Sequence, residues 1–274
     1  LKGGKMLKDI TLGQYFPGNS FIHKLDPRTK ILIMIAYVVL VFIVQNFYGY
    51  LALAVFLGIC VFVSKLSPKY LIKGLKPIMI FIVFTGLFNL FLTSGTPVWH
   101  WWIFTITKEG IRFAAFMVLR LIFLILGTSL LTLTTSPIAL TDGLEYLLTP
   151  FKKIHVPAHE IAMMMTIALR FIPTLLDETD KIMKAQSARG ASIDSGSLLS
   201  RAKAMVPILI PLFISAFRRA DELATAMECR CYRGGENRTR LYELKFSGID
   251  IMSWLYVLIL LGIILSLNFG FGSF

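Results

Sequence analysis

Five runs of apolar residues mark the chain, at about Ile31 to Val44, Tyr50 to Val63, Pro77 to Leu92, Ile111 to Leu133 and Ile251 to Phe271. A helix needs roughly 20 mostly apolar residues to cross the hydrocarbon of a bilayer, and irregular backbone cannot face lipid. Each run, including the two short ones, is therefore predicted to be a transmembrane helix. The stretch between the fourth and fifth runs reads differently. It holds two long helical patterns, about His159 to Arg189 and Leu198 to Tyr232, separated by Ser195, Gly196 and Ser197. Each begins apolar (IAMMMTIALRFIPTLL, AMVPILIPLFISAF) and ends polar and charged. Pro173 in the first, and Pro207 and Pro211 in the second, are expected to kink them. At a rise of about 1.5 Å per residue each reaches some 45 to 50 Å, far more than a linker requires.

Composition agrees with the pattern: 56% of 274 residues are hydrophobic, 16% are charged and mean hydropathy is +0.72, beyond an ordinary soluble domain. The expected fold class is an all-α integral membrane protein with about five transmembrane helices plus long cytoplasmic helices. Its expected organisation is a cytoplasmic segment over 1–30, transmembrane helices 1 to 4 over 31–133, a cytoplasmic helical region over 134–250 and a last transmembrane helix over 251–274. The first 18 residues, LKGGKMLKDITLGQYFPG, lack the apolar stretch of a cleaved signal, so the first membrane segment is expected to target the chain. Three cysteines cannot build a disulfide framework and are read as reduced thiols.

Charge then sets orientation. The loop QNFYGY carries none, whereas SKLSPKYLIKGLK carries Lys65, Lys69, Lys73 and Lys76. The positive-inside tendency places this loop and the lysine-rich amino terminus in the cytoplasm, and the carboxyl terminus outside. PVWHWWIF at 97–104 is read as an aromatic belt at the outer interface, His100 included. Arg120, inside the fourth run, is expected to pack between helices or face water, because no acidic residue lies in the runs to pair with it. Residues 134–250 hold 15 of the 28 Lys and Arg but also 13 of the 16 acids, so this region is nearly neutral and no concentrated basic face for nucleic acid exists there. The basic excess lies beside the lipid bilayer, where it suits the anionic inner leaflet. Inserting the apolar halves of the two long helices would carry Lys181, Lys184, Arg189, Arg201 and Lys203 outside, so both are expected to stay cytoplasmic or interfacial.

The two long helices end alike, in DKIMKAQSARG and DELATAMECRC. Arg189 and Arg230 have no acid three or four residues away, although Asp180 with Lys184 and Arg218 with Glu222 are ready pairs elsewhere on the same helices. A lone arginine near a helix end complements the helix dipole, and Gly190 or Gly234 closes the helix. Two such arginines at matched ends point to docking on acidic sites of a partner, for which the planar guanidinium fork is suited. Nothing near Cys229 and Cys231 supplies a metal or redox partner, so these thiols are read as small packing neighbours. HVPAHE at 155–160 offers His155, His159 and Glu160 to a membrane-embedded metalloenzyme, but Pro157 breaks the i to i+4 geometry. Asp26 is expected to cap a helix with Pro27 at its first position, with Arg28 and Lys30 marking the interface.

These features resemble a known family, the transmembrane T components of energy-coupling factor (ECF) transporters, the CbiQ/EcfT family. The resemblance rests on HKLDPRTK at 23–30, on spans followed by a long helical pair, and on two motifs with a central arginine, ARG at 188–190 and CRC at 229–231. CRC departs from the alanine-flanked form. The resemblance implies a non-catalytic coupling subunit of an ABC-type importer. It would join two ABC-type ATPases to a membrane-embedded S component that captures a vitamin or other micronutrient. By the same carry-over Arg189 and Arg230 dock on the two ATPases, with Ala188, Gly190, Cys229 and Cys231 shaping the fit. The chain itself takes no cofactor, ATP and Mg being bound by the ATPases. Met163, Met164, Met165 and Met205 lie along the long helices; their adaptable thioethers suit either ordinary packing between helices or a surface accepting S components. The competing reading is a self-sufficient ABC permease that binds its own solute.

Overall fold

Asp26 starts the first helix as the sequence leads one to expect: its carboxylate accepts from the Arg28 N–H at 2.9 Å, with Pro27 in the first position. The computed structural model describes residues 15–101, 104–190, 198–235 and 244–270. In chain order it contains α1 (Pro27–Ile43), α2 (Phe47–Ser64), α3 (Pro68–Leu75), a short 3-10 turn, α4 (Met79–Leu92), a two-stranded antiparallel hairpin of β1 (Pro97–Trp101) and β2 (Phe104–Thr107), and α5 (Lys108–Thr134). There follow α6 (Pro137–Leu148), a 3-10 turn (Thr149–Ile154), α7 (Ala158–Ala188), α8 (Leu198–Cys229) and α9 (Gly248–Gly270). The fold is α-helical, as expected, apart from the small hairpin, which occupies the segment read as an aromatic belt. The side chains of 97–106, and Trp102 and Ile103 altogether, lie outside the described residues, as do Ser195 to Ser197.

By length and composition five helical stretches suffice to cross a membrane: Phe47–Ser64, Pro68–Leu92, Lys108–Thr134, Ala158–Ala188 and Gly248–Gly270. Four of the five expected spans are among them. The first is not, because α1 has 17 residues, and α7 stands in its place because its first half is apolar. The chain divides into two compact units. One comprises Tyr15–Gly143 with Glu243–Phe274, the other Leu144–Tyr242.

The first unit is built around the buried faces of α1, α2, α5 and α9, where Tyr37, Val41, Leu53, Phe56, Phe123 and Ile264 meet. Phe56 stacks on Tyr256 with ring centroids 4.7 Å apart, and Gly127 leaves no room for a Cβ beside the Tyr37 ring, so α5 and α1 approach closely. The Tyr37 hydroxyl donates to the Phe123 carbonyl at 3.0 Å. Arg120 lies over the Phe42 ring at 5.3 Å, in a helix-packing position. By contrast α4 leaves Ile80, Phe81, Val83 and Phe84 exposed, as a lipid-facing helix does.

α1 and α9 run parallel and are tied at both ends. At one end the Asp26 N–H donates to the Asp250 carboxylate at 3.0 Å, whose other oxygen accepts from the Ser247 N–H at 2.8 Å. At the other, the Asn268 side chain donates to the Ile43 carbonyl at 2.9 Å. Arg28 and Lys30 are not surface markers. Both are buried, Arg28 reaching the Leu244 carbonyl and the Phe246 ring and Lys30 the carbonyls of His23 and Thr134. The LDPRTK segment thus knots the start of α1 to the start of α9 and the end of α5.

Candidate functional site

In the second unit α7 and α8 form an antiparallel pair. Their cross-links run in opposite senses along the two helices: Gln186 meets Pro207, Glu178 meets Ser215 and Arg219, and His159 meets Tyr232 just beyond α8. Glu178 accepts from the Ser215 hydroxyl at 2.6 Å and from Arg219 at 3.1 Å. The Ser215 bond first, then Arg219, holds its carboxyl below the usual range. The Gln186 bond has a local cause. Pro211 has no N–H, so the Pro207 carbonyl four residues earlier lacks its helical donor; the Gln186 amide donates to it at 3.3 Å. His159 sits with Nδ1 3.0 Å from Glu145 and Nε2 3.4 Å from the Tyr232 hydroxyl, and Gly235 packs so tightly on its ring that no Cβ fits.

Each helix ends in the same local geometry. α7 stops at Ala188 with Arg189 as its cap; the Arg189 N–H bonds back to Ala185 and Gln186, and Gly190 turns left-handed at φ +86° with its N–H on Ser187. α8 stops at Cys229. Beyond Arg230, Cys231 is left-handed at φ 57°, its N–H on Glu228 at 2.8 Å, and the Tyr232 N–H reaches Met227 at 3.0 Å. These last two bonds form a Schellman closure. In both motifs the arginine is therefore the capping residue and the third position is the left-handed turn.

Ala188, Arg189, Gly190, Cys229, Arg230 and Cys231 are all exposed. Among the described residues neither arginine side chain has a bonding partner, whereas Lys184 pairs with Asp180 at 2.6 Å one turn before Arg189. The expected Arg218–Glu222 pair does not form; the neighbouring Arg219 crosses to Glu178 instead. The two thiols do not pack inside the chain either, since both are exposed. The structure does not bring the two motifs together. Gln186 lies beside Pro207, so Arg189 is near the start of α8, and Arg230 is on the order of 35–40 Å away along it at 1.5 Å per residue.

Met164, Met165 and Met205 are exposed, Met164 at 59%, and Met163 is half-buried. Met163 to Met165 lie near the start of α7, toward the His159–Tyr232 link, whereas Met205 lies near the start of α8, beside the Gln186–Pro207 link; Ile210, Phe213 and Phe217 on α8 are exposed as well. Among the described residues no three His, Cys, Asp or Glu side chains come together as metal ligands; His155 ends the 3-10 turn at φ 62° rather than sharing a helix with His159. Gln186, Glu178 and His159 were not singled out as cross-links from sequence, although the Pro207–Pro211 spacing of one helical turn signals an orphaned carbonyl.

Comparison with known proteins adds to this geometry. The sequence signature of the family described as CbiQ, cobalt transport protein, matches residues 18–241. The chain is 62% identical over 257 residues to the energy-coupling factor transporter transmembrane protein EcfT of Clostridium kluyveri, covering 93% of this chain and 95% of that protein. It is 59% identical to the EcfT of Ruminiclostridium cellulolyticum, over 90% of this chain and 92% of the relative, and 59% identical to that of Thermosediminibacter oceani, over 91% and 94%.

Proposed function

The chain belongs to the CbiQ/EcfT family, the transmembrane components of energy-coupling factor transporters, and from that premise we propose that it couples two ABC-type ATPases to a substrate-capturing S component. It is a multi-pass transporter subunit. The observation that carries the finer reading is the pair of exposed capping arginines, each without a partner in the described chain, at opposite ends of one antiparallel helix pair. That separation suits two partner subunits, one per end. Acidic residues in a groove of each ATPase would take the guanidinium bidentately, with Ala188, Gly190, Cys229 and Cys231 keeping the backbone close. ATP and Mg belong to those partners. Closure of the ATPases would then shift the helix ends, and the cross-linked pair would carry the shift to the membrane unit.

This reading keeps α7 and α8 on the cytoplasmic side. The end of α5 and the start of α9 lie at the same end of the first unit, both tied to the start of α1. Whatever lies between them returns to the side it left. A crossing by α7 alone breaks that parity, and a crossing by both carries Lys181, Lys184, Arg189, Arg201 and Lys203 outward, against the positive-inside tendency. The amino terminus is then cytoplasmic and the carboxyl terminus outside. Apolar side chains along the pair, Met163, Met164 and Met165 toward one end and Met205 toward the other, are the proposed seat of the S component, which chooses the vitamin or other micronutrient. The self-sufficient permease reading instead requires solute binding by this chain alone.

Replacing Arg189 and Arg230 with Ala, singly and together, tests the proposal. Each removes charge-assisted bonds of about 1.5–3 kcal/mol, so retention of the ATPases in co-purification should fall by about tenfold or more. The double variant should insert normally yet lose ATP-driven uptake. Wild-type uptake by the double variant overturns the docking assignment.

A further inference from the structure

We propose that a cavity in the membrane unit seats one acyl chain of an anionic phospholipid. The cavity, of about 410 Å³, is walled by α1, α2, α5 and α9 and by the turn before α1. This volume falls within the range of sites that hold small ligands.

Its depth follows from the parts of the helices that line it. α1 and α9 contribute their first turns (Lys30 to Tyr37, Met252 to Ile259), and α2 and α5 their last (Phe56 to Val63, Gly127 to Thr134). All four ends lie beside the LDPRTK knot and the lysine loop. Under the orientation proposed above, on which this inference rests, the cavity occupies the inner-leaflet half of the bilayer. Its rim is exposed: of the lining residues, Ile59 on α2 is 45% exposed, and Met252 and Leu255 on α9 are 64% and 58% exposed. In a bilayer such a rim meets acyl chains.

The lining selects an apolar occupant. Tyr37 donates to the Phe123 carbonyl, Thr134 to Leu130, Ser253 to Ile249, and the Lys30 ammonium to His23 and Thr134. Of the lining side-chain oxygens, only the Tyr256 hydroxyl has no protein partner among the described residues. A polar solute entering here loses its water for almost nothing in return; a hydrocarbon tail loses nothing. Headgroup preference comes from two exposed lysines at the same end. Lys24 adjoins the lining residue Leu25, and Lys65 lies two positions beyond the lining residue Val63. Lysines at the cytoplasmic surface favour anionic lipid.

The test uses the full chain with its co-purifying partners in nanodiscs, and phosphatidylglycerol or phosphatidylcholine carrying a diazirine in the acyl chain. Photolabel should map to Ile59, Cys60 and Met252, about threefold more with phosphatidylglycerol. Filling the cavity with Cys60→Phe and Ser253→Phe should cut that label at least fivefold while outward-facing Leu51 and Phe62 label as before. Lys24→Gln with Lys65→Gln, both on the surface, should abolish the headgroup preference without disturbing the fold. Label confined to Leu51 and Phe62, or undiminished in a folded filled variant, overturns the acyl site. Equal labelling by the two lipids overturns the anionic headgroup. Capture of a small membrane protein instead of lipid by a photoreactive residue at position 59 assigns the cavity to the S component and overturns the proposal. Loss of ATPase retention in the Arg189 and Arg230 variants is read separately, so failure of the coupling reading and failure of the lipid site stay distinguishable.

Discussion

At the residue scale the two arginine motifs share a backbone more closely than a sequence. Their third positions, Gly190 and Cys231, both take left-handed φ, a conformation that costs a side-chain-bearing residue roughly 1–2 kcal/mol and glycine almost nothing. CRC therefore departs from ARG at the one position where the departure strains the chain. Cys231→Gly should raise the free energy of opening of the α8 end by about 1 kcal/mol. Gly190→Ala should lower that of the α7 end by a similar amount through φ alone, since a Cβ there meets nothing within 4 Å. Hydrogen exchange at the last turns of α7 and α8 in the intact chain checks both, and Gly190→Asn should recover part of the loss because Asn tolerates this conformation. The arginines and their lack of local acids were legible from spacing. The shared capping geometry was not, because a cysteine in place of glycine hides a left-handed turn.

Among the elements, the α7–α8 pair was visible from apolar periodicity and its breakers, with ends within three residues of those expected. Its register was not. Local pairing rules matched Arg218 with Glu222 on one helix, but Glu178 on the facing helix takes the adjacent Arg219 and Ser215 together, a two-bond site that an exposed i to i+4 pair of about 0.3–0.5 kcal/mol does not match. Gln186 supplies the second tie, to a carbonyl that Pro211 leaves free. Replacing Gln186 with Leu removes a bond of about 1 kcal/mol, so amide exchange over the last turn of α7 should accelerate about fivefold while the turns around Glu178 exchange as before. Uniform acceleration along α7, or none, contradicts a local tie. Because the Glu178 carboxyl lies below its ordinary range, its contribution to the pairing is complete at neutral pH and is lost as pH falls through the depressed value.

At the scale of the whole molecule, the division into two units fits a division of tasks between membrane anchoring and partner contact. Changing Met163, Met164 and Met165 to Ile keeps the surface apolar but stiffens it. Co-purified S component should fall severalfold while the ATPases, held through the two arginine motifs, stay; unchanged capture removes these methionines from the docking reading. The sequence alone determined the membrane class, four of the five spans and the unpaired arginines, because bilayer thickness, hydropathy and helical spacing act over short stretches. The tertiary structure decided what depends on residues far apart in the chain. Asp26 finds Asp250 across 224 positions, Arg28 and Lys30 turn inward rather than marking a surface, Gln186 reaches a proline on the facing helix, and four helix ends enclose a cavity. Burial and cross-helix hydrogen bonds are set by which faces meet, and a one-dimensional pattern of apolar and polar residues does not say which faces those are.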